Sequence, residues 1–360
     1  MVSPGGWPSR RALRARRLSP GYAMTSDLLR RTRRLIVLGI LSVLGHAAHA
    51  EGRLRIADQF GIAYLPLYVA QAQGLIQKHG KAAGIDIQVE YIRLSGGAAI
   101  NDALLAGQID IGSAGLGPLF TLWDRTRGKQ DVKGVASLGN FPYYLVTTNP
   151  DVRTLADLGP KDRIAVPAVG VSVQARLLQF AAARQWGDAA YDRLDAWTVA
   201  LPHPDAAAAL IKGGTEITAH FGNPPFQEQV LAANPRARIL LDSYDLLGGP
   251  STATALYATT RFREDNPKTY AAFVAALDEA ARFIQDNREA AADIYLSVSG
   301  ARTPRDLLLA VLAKPEIEFL TTPQRTLTLG RFLHRVGALR HAPVSVTDYF
   351  FDAPHTRGGS

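Results

Sequence analysis

The sequence predicts an α/β protein of two similar lobes, and three observations predict it. Strand-like and helix-like segments alternate from residue 53 onward, a block of the first half recurs in the second at constant spacing, and two extended runs stand where the chain would pass between the halves. Leu54-Arg55-Ile56-Ala57-Asp58 has the composition of a short strand. Pro66 to Lys78 follows as a helix with Leu67, Val69, Ala70 and Leu75 on its apolar stripe and proline in its first turn. Ile85 to Ile92 alternates apolar and polar residues as a half-buried strand does, Ser95-Gly96-Gly97 makes a turn, and Ala98 to Ala106 returns to helix. Ile109-Asp110-Ile111-Gly112 is expected as a third strand.

The block from Ala103 to Phe120 aligns without a gap on Ala209 to Phe226. It is identical at Ala103, Leu104, Gly107, Ile111, Pro118 and Phe120, each matched 106 positions later. Upstream, Arg55-Ile56-Ala57 recurs as Arg163-Ile164-Ala165. The shared order favours duplication of one α/β unit, and two units are too few for a solenoid. Pro142 to Thr148 is the expected crossover into the second lobe and Thr252 to Thr260 the expected return, with residues from about 261 helical, most strongly Tyr270 to Asn287. The expected division is 1–50 leader, 51–143 with 254–350 as lobe I, 144–253 as lobe II, and 351–360 as a C-terminal tail. Two crossovers make a hinge.

The chain of 360 residues carries a formal charge of +8. All of it belongs to residues 1–50, where nine arginines (Arg10, Arg11, Arg14, Arg16, Arg17, Arg30, Arg31, Arg33, Arg34) face Asp27 alone. The remainder is neutral in sum, which leaves no basic footprint for nucleic acid. Leu35 to Leu44 is apolar but shorter than the ~20 residues a bilayer requires, and Ala48-His49-Ala50 closes it with small residues at the cleavage positions, the order of a secretory signal peptide. Translation from Met24 would bring the leader into the usual length range. Sec export is expected, with Arg33-Arg34 leaving the twin-arginine route as the alternative. The absence of cysteine excludes disulfides, thiolate metal sites and lipid attachment through cysteine. Such a chain suits the periplasm.

Further landmarks are Tyr64-Leu65-Pro66-Leu67-Tyr68-Val69-Ala70 with Gly74-Leu75, Gly84-Ile85-Asp86, Gly107-Gln108-Ile109-Asp110, Thr154 to Leu158 leading to Arg163-Ile164-Ala165-Val166-Pro167, and Pro204-Asp205 with the alanines up to Leu210. In this order and spacing, over nearly all of residues 53–350, the chain resembles the substrate-binding proteins of nitrate-, sulfonate- and taurine-type ABC importers. That branch also holds binders of thiamine pyrimidine precursors. The resemblance implies a type II-like periplasmic-binding-protein fold, a small ligand (anionic, sulfonate- or nitrate-like, or organic), a monomer, no cofactor, and as partners a membrane permease with its ATPase. A sensor presenting the ligand to a signalling receptor is the alternative.

Ligands of open α/β sheets sit beyond the carboxyl ends of the strands. That rule selects Gln59, Phe60 and Tyr64, then Ser95, Gly96 and Gly97, then Ser113 and Ala114 from the first lobe, and Gly170, Val171, Ser172, His220 and Asn223 from the second. Glycines admit close backbone approach, helix starts offer N–H groups, and Ser95, Ser113 and Ser172 add hydroxyls. Taken singly, Ser95, Ser172 and Asn223 are expected first as helix caps, a role that can coexist with ligand contact at one helix start. Phe60, Tyr64, Phe141 and Tyr143 form a candidate aromatic wall, with lobe packing as the competing role. Arg93 and Arg176 are the cations near these loops and are expected to be solvated, so capture falls to neutral donors or favours an organic ligand. Gly170 to Gln174 lacks the closing glycine of a nucleophile elbow, and His79, His203, His220, His334, His341 and His355 show no metal-ligand spacing. Fungal pyrimidine synthases of the same superfamily use a cysteine-rich segment that this chain lacks. A binding protein is expected, with no metal and no catalysis.

If Ala48-His49-Ala50 is the cleavage site, N-terminal sequencing of exported protein reads Glu51 first, or a residue within about three of it; an intact leader on most of the protein would refute it.

Overall fold

The computed structural model describes residues 51–360, so the expected leader, its cleavage site and its export route lie outside the described residues. The first half runs β1 (Arg53–Asp58), α1 (Leu65–Ala72), α2 (Leu75–Ala82), β2 (Gln88–Arg93), α3 (Gly97–Leu105), β3 (Ile111–Gly115), α4 (Leu116–Thr126) and β4 (Val132–Ser137). The second runs β5 (Tyr144–Thr147), β6 (Ile164–Val166), α5 (Val173–Trp186), β7 (Thr198–Ala200), α6 (His203–Lys212), β8 (Ala219–Phe221), α7 (Phe226–Ala233), β9 (Arg238–Asp242) and α8 (Ser243–Leu247). The chain returns on β10 (Thr254–Thr259) and continues as α9 (Thr260–Asp265), α10 (Pro267–Asp286), α11 (Arg288–Ser299), α12 (Arg305–Leu312), α13 (Thr326–Arg335), α14 (Val346–Tyr349) and α15 (Pro354–Arg357). The helix expected over Pro66 to Lys78 is two helices, because Gly74 takes the left-handed conformation (φ 61°) that ends the first.

Two five-stranded sheets result, in the orders β2-β1-β3-β10-β4 and β7-β6-β8-β5-β9. They share one topology. In the first, β1 runs parallel to β2 and β3 while β10 lies antiparallel between β3 and β4; in the second, β6 runs parallel to β7 and β8 while β5 lies antiparallel between β8 and β9. Each return strand therefore belongs to the sheet opposite the one the chain has just left. The central parallel strand β6, Ile164-Ala165-Val166, is apolar and buried at every residue, whereas the parallel edge strand β2 alternates and is only partly buried.

The internal repeat is real but not gapless. Helices α3 and α6 begin 106 residues apart, and Gly107 and Gly213 follow them with the same φ of 67°. Strand pairing sets Ile111 beside Ile56, and Ala219 beside Ile164, an equivalence two residues longer. The turn before β8 has grown by that amount. The matched Ile217, Pro224 and Phe226 are thus not the structural counterparts of Ile111, Pro118 and Phe120: Pro118 lies inside α4, whereas Pro224 precedes α7.

Between the sheets, three segments lie side by side. Asn140, fully buried, pairs with Thr252 of the return crossover and Glu318 of the C-terminal region. Its N–H donates to the Glu318 carbonyl (2.8 Å) and its carbonyl accepts from Glu318 N–H (3.0 Å). Its amide donates to Gln324 Oε1 and Glu318 Oε2, both at 2.7 Å, and accepts from Thr252 Oγ1 at 3.2 Å. The expected pair of crossovers is thus tied by a third strand-like segment. Residues 351–360 are docked rather than a free tail: Thr356 is fully buried and the Ser360 carbonyl accepts from Thr326 N–H at 2.6 Å.

Gly139 marks the tightest point of this clamp. Its φ is 132°, and a Cβ there would lie 2.1 Å from the Glu318 carbonyl oxygen. Gly139→Ala is expected to destabilise the protein by roughly 3 kcal/mol, combining backbone strain with a clash against backbone. Denaturant titration with an unchanged m-value checks it; a loss under about 1 kcal/mol would show that the clamp yields.

Candidate functional site

The lobes meet across a face where glycines let backbones touch. A Cβ on Gly96 would lie 2.5 Å from the Pro167 carbonyl oxygen, one on Gly115 2.6 Å from Val173, and one on Gly117 2.2 Å from the Val171 carbonyl oxygen. Asn223 donates its amide to the Phe60 carbonyl (3.0 Å), and Ile62 N–H donates to the Pro224 carbonyl (3.0 Å). Beside these contacts lies a cavity of about 20 Å3, room for one water-sized occupant.

Gln59, Tyr64, Gly97, Gly115, Pro118 and Thr254 line it from the strands and helices of the first sheet, and Pro167, Ser172, Val173, Gln174, His203 and Asn223 from those of the second; Tyr143, at the crossover, completes it. Four helices begin here: Gly115 precedes α4, and Gly97, Val173 and His203 are the first residues of α3, α5 and α6. Each helix start carries a partial positive charge and N–H groups without intrahelical partners, a setting that favours an anionic or electron-rich group. No lysine or arginine is among the lining residues.

The polar walls are pre-set. Ser172 caps α5, its Oγ accepting from Ala175 N–H at 3.2 Å, which leaves its O–H free to donate. The residue that caps the helix thus also lines the cavity. Tyr143 and Thr254 share a hydroxyl hydrogen bond of 2.7 Å. Gln174 Nε2 lies 3.2 Å from His203 Nε2, and His203 Nδ1 lies 2.8 Å from His220 Nε2. With the glutamine amide donating, the proton on His203 sits on Nδ1 and points to His220, whose own Nδ1 has no partner among the described residues. Burial pushes His220 down to about 3, and burial followed by the neighbouring His220 ring holds His203 well below its ordinary value. Both rings are neutral at physiological pH, so this wall offers hydrogen bonds without charge.

Of the residues expected from sequence, Gln59, Tyr64, Gly97, Ser172 and Asn223 come together in the cavity wall. Gly96 supports it through its contact with Pro167. Ser113 and Ala114 are buried behind it on β3, with Ser113 Oγ unpartnered, and His220 stands one residue back, behind His203. Val171 lies at the lobe contact with Gly117, and Gly170 turns the loop before α5 with φ 64°. Ser95 is exposed and makes no cap, since Gly96 occupies the cap position of α3 without a side chain to bond. Asn223 does not cap α7 with its side chain: its amide nitrogen donates to the Phe60 carbonyl, and its Oδ1 has no partner among the described residues. Of the aromatic wall, Tyr64 and Tyr143 face the cavity, Phe60 faces a different space, and Phe141 packs edge-on against Phe319 at 5.3 Å.

The two arginines are not the solvated groups expected. Arg93 is held by Asp58 (3.2 Å), the Tyr68 hydroxyl (2.9 Å) and the Ser299 carbonyl (2.9 Å); Arg176 is half-buried against Gln179 (2.9 Å), and desolvation lowers its pKa. Neither lines the cavity. Sequence reasoning missed His203 because the three-residue β7 that precedes it carries too little pattern to recognise. The repeat held the signal, for His203 stands 106 positions after Gly97. Tyr143 is an expected member of the aromatic wall, Gln174 lies beside expected residues, and Thr254 is delivered by the return crossover.

Because both histidines have folded-state pKa values below the unfolded value, the stability they confer is fully present above about pH 6.5 and is lost as pH falls, for His220 toward about 3. Between pH 7 and 5 the loss from His220 is expected to be roughly 2 kcal/mol, at 1.36 kcal/mol per unit, and His203 adds to it in the same direction. Nitrogen-15 NMR of the rings at pH 5 should show both as neutral tautomers, and protonated rings in folded protein would contradict the assignment.

The family model described as the NMT1-like family matches residues 52–297. Among curated proteins there is no sequence match. Several solved structures are similar. The alkanesulfonate-binding protein SsuA from Xanthomonas axonopodis pv. citri, bound to MOPS, has 20% identity and a TM-score of 0.64, over 84% of this chain and 99% of that one. The periplasmic nitrate-binding protein NrtA from Synechocystis PCC 6803 has 15% identity and a TM-score of 0.65, over 81% and 83%. A Candida albicans gene product with the generic periplasmic binding protein fold has 16% identity and a TM-score of 0.59, over 81% and 92%. At these identities the likeness establishes the fold, a two-lobed periplasmic-binding-protein architecture.

Proposed function

Since the chain belongs to the NMT1-like family, with the family model spanning most of its length, we propose that it is the solute-binding component of an ABC importer. In this reading it is exported to the periplasm, loses its leader near Ala50, captures a small ligand between its lobes and delivers it to a membrane permease with its ATPase. The observation that carries the proposal is the small cavity between two sheets of identical topology, ringed by four helix starts and neutral donors from both sides. Residues 51–143 with 254–350 move as one lobe and 144–253 as the other, turning on the segments around Asn140 and Thr252.

The closed cavity admits little more than one water, so a ligand enters only when the lobes part. Its electron-rich group meets the N–H groups at the starts of α3 and α5, the Ser172 hydroxyl and the Gln174 amide. Binding through neutral groups suits capture followed by release, because no desolvated charge on the protein must be re-solvated on opening. The protein acts by binding and not by turnover, and it works as a monomer.

Mass spectrometry of solutes released on denaturation identifies a ligand to test. X-ray scattering is then expected to give a smaller radius of gyration with that solute than without it; a calorimetrically confirmed ligand that produces no compaction would remove the closure mechanism. Ser172→Ala is expected to lower stability by ~1 kcal/mol through the lost cap and also to weaken binding by a few-fold to about tenfold. Thermal melts with calorimetric titration check both, and an unchanged dissociation constant would confine Ser172 to capping.

A further inference from the structure

A second, larger cavity of about 380 Å3 opens between the lobes, outside the first. Phe60 and Tyr68 wall it from the first lobe, Phe226 and Ala208 from the second, and Tyr295 with Arg302 from α11 and the loop that follows. The partition between the two cavities is one residue thick. Gln59 faces inward and its neighbour Phe60 outward; His203 faces inward and Phe226, on which its ring stacks at 6.1 Å and 13°, faces outward. That partition is fastened by the Asn223–Phe60 and Ile62–Pro224 bonds, both of which cross between lobes and must break when the lobes part.

The outer walls are mainly aromatic and aliphatic, and the volume falls in the range of small-molecule sites. The polar groups at its rim divide into spent and free. Gln229 and Thr303 bond each other at 2.6 Å, and Arg93, whose guanidinium lies 5.6 Å from the Phe60 ring centre and 5.2 Å from that of Tyr68, is spent on Asp58. Arg302 is exposed and has no hydrogen-bonded or ion-paired acid among the described residues. An apolar slot between aromatic rings with one free guanidinium at its mouth selects a flat ring carrying a single acidic group.

We propose that this outer pocket is a binding site for a small aromatic monoanion, its ring held between Phe60 and Phe226 and its acid group paired with Arg302. The proposal rests on the reading that the lobes close on a solute, since Phe60 and Phe226 come from opposite lobes. It adds to that reading a specificity pocket separate from the helix-ringed inner cavity.

The probes are 2-naphthoate and its uncharged analogue 2-naphthylmethanol, titrated calorimetrically into the leader-free protein. Wild type is expected to bind 2-naphthoate more tightly than 2-naphthylmethanol. Ala208→Trp, a substitution at an exposed helix position that fills the pocket, is expected to weaken 2-naphthoate at least about tenfold without lowering the melting temperature. If that variant is destabilised, Ala208→Leu gives the same test with less bulk. Arg302→Gln is expected to weaken 2-naphthoate about tenfold and leave 2-naphthylmethanol unchanged. Gln174→Ala, in the inner cavity, should alter neither. The proposal is overturned by undetectable wild-type binding at about 10 mM, weaker than any specific pocket of this size should give. It is equally overturned by 2-naphthoate affinity insensitive to filling at Ala208, or lost on Gln174→Ala, which would put the probe in the inner cavity. None of these outcomes bears on closure around the copurified solute, which scattering decides separately.

Discussion

The buried Asn140 side chain is the constraint around which the two lobes are organised. Three segments distant in sequence converge on it: the outgoing crossover that carries it, the return crossover at Thr252, and the C-terminal stretch from Glu318 to Gln324. A primary amide is suited to that position because it donates and accepts at once, and here its amide nitrogen serves two acceptors while its oxygen takes the Thr252 hydroxyl. Buried polar groups are costly unless paired, so the cluster specifies one mutual arrangement of the three segments. In the proposed closure, rotation about this clamp keeps its hydrogen bonds when the dihedral change is absorbed in the residues that flank it.

From that clamp the position of the inner cavity follows. Antiparallel insertion of β5 and β10 into opposite sheets places the carboxyl ends of both sets of parallel strands toward each other, and the helices that follow those strands start at the shared face. Small residues at Gly96, Gly115 and Gly117 then let the lobes approach to backbone contact. The field at the centre comes from helix starts and oriented amides, because both nearby arginines are committed to partners and both nearby histidines are kept neutral by burial. The two cavities differ in kind: the inner one is small and polar, the outer one larger and aromatic, and one thin partition assembled from both lobes separates them.

Much of the architecture was legible because it rests on local pattern. Alternation in Gln88 to Ile92 and the apolar runs of β1 and β6 declare strands, and the recurrence of Ala103 to Gly107 as Ala209 to Gly213 declares two related units. The site was legible in part. Strand-end loops led to Gln59, Gly97, Ser172 and Asn223, whereas β7, only three residues long, concealed His203. Ser95 and Phe141 satisfied the same rule and lie elsewhere, since proximity along the chain to a strand end does not decide which way a side chain turns.

The sequence by itself determined the α/β class, the duplication, the neutral charge of residues 51–360 against the basic first fifty, and the loops from which a cleft would be built, because each is written in composition, period or short-range spacing. Tertiary structure alone decided the rest. Two residues inserted before β8 shifted the register of the repeat, and partners more than 30 residues away turned Arg93 from a surface cation into a half-buried tie. The division into an inner and an outer cavity depends on Phe60 meeting Asn223 across 163 residues of chain. Such contacts arise only when two separately patterned lobes are brought face to face, and no local pattern in either lobe encodes the distance between them.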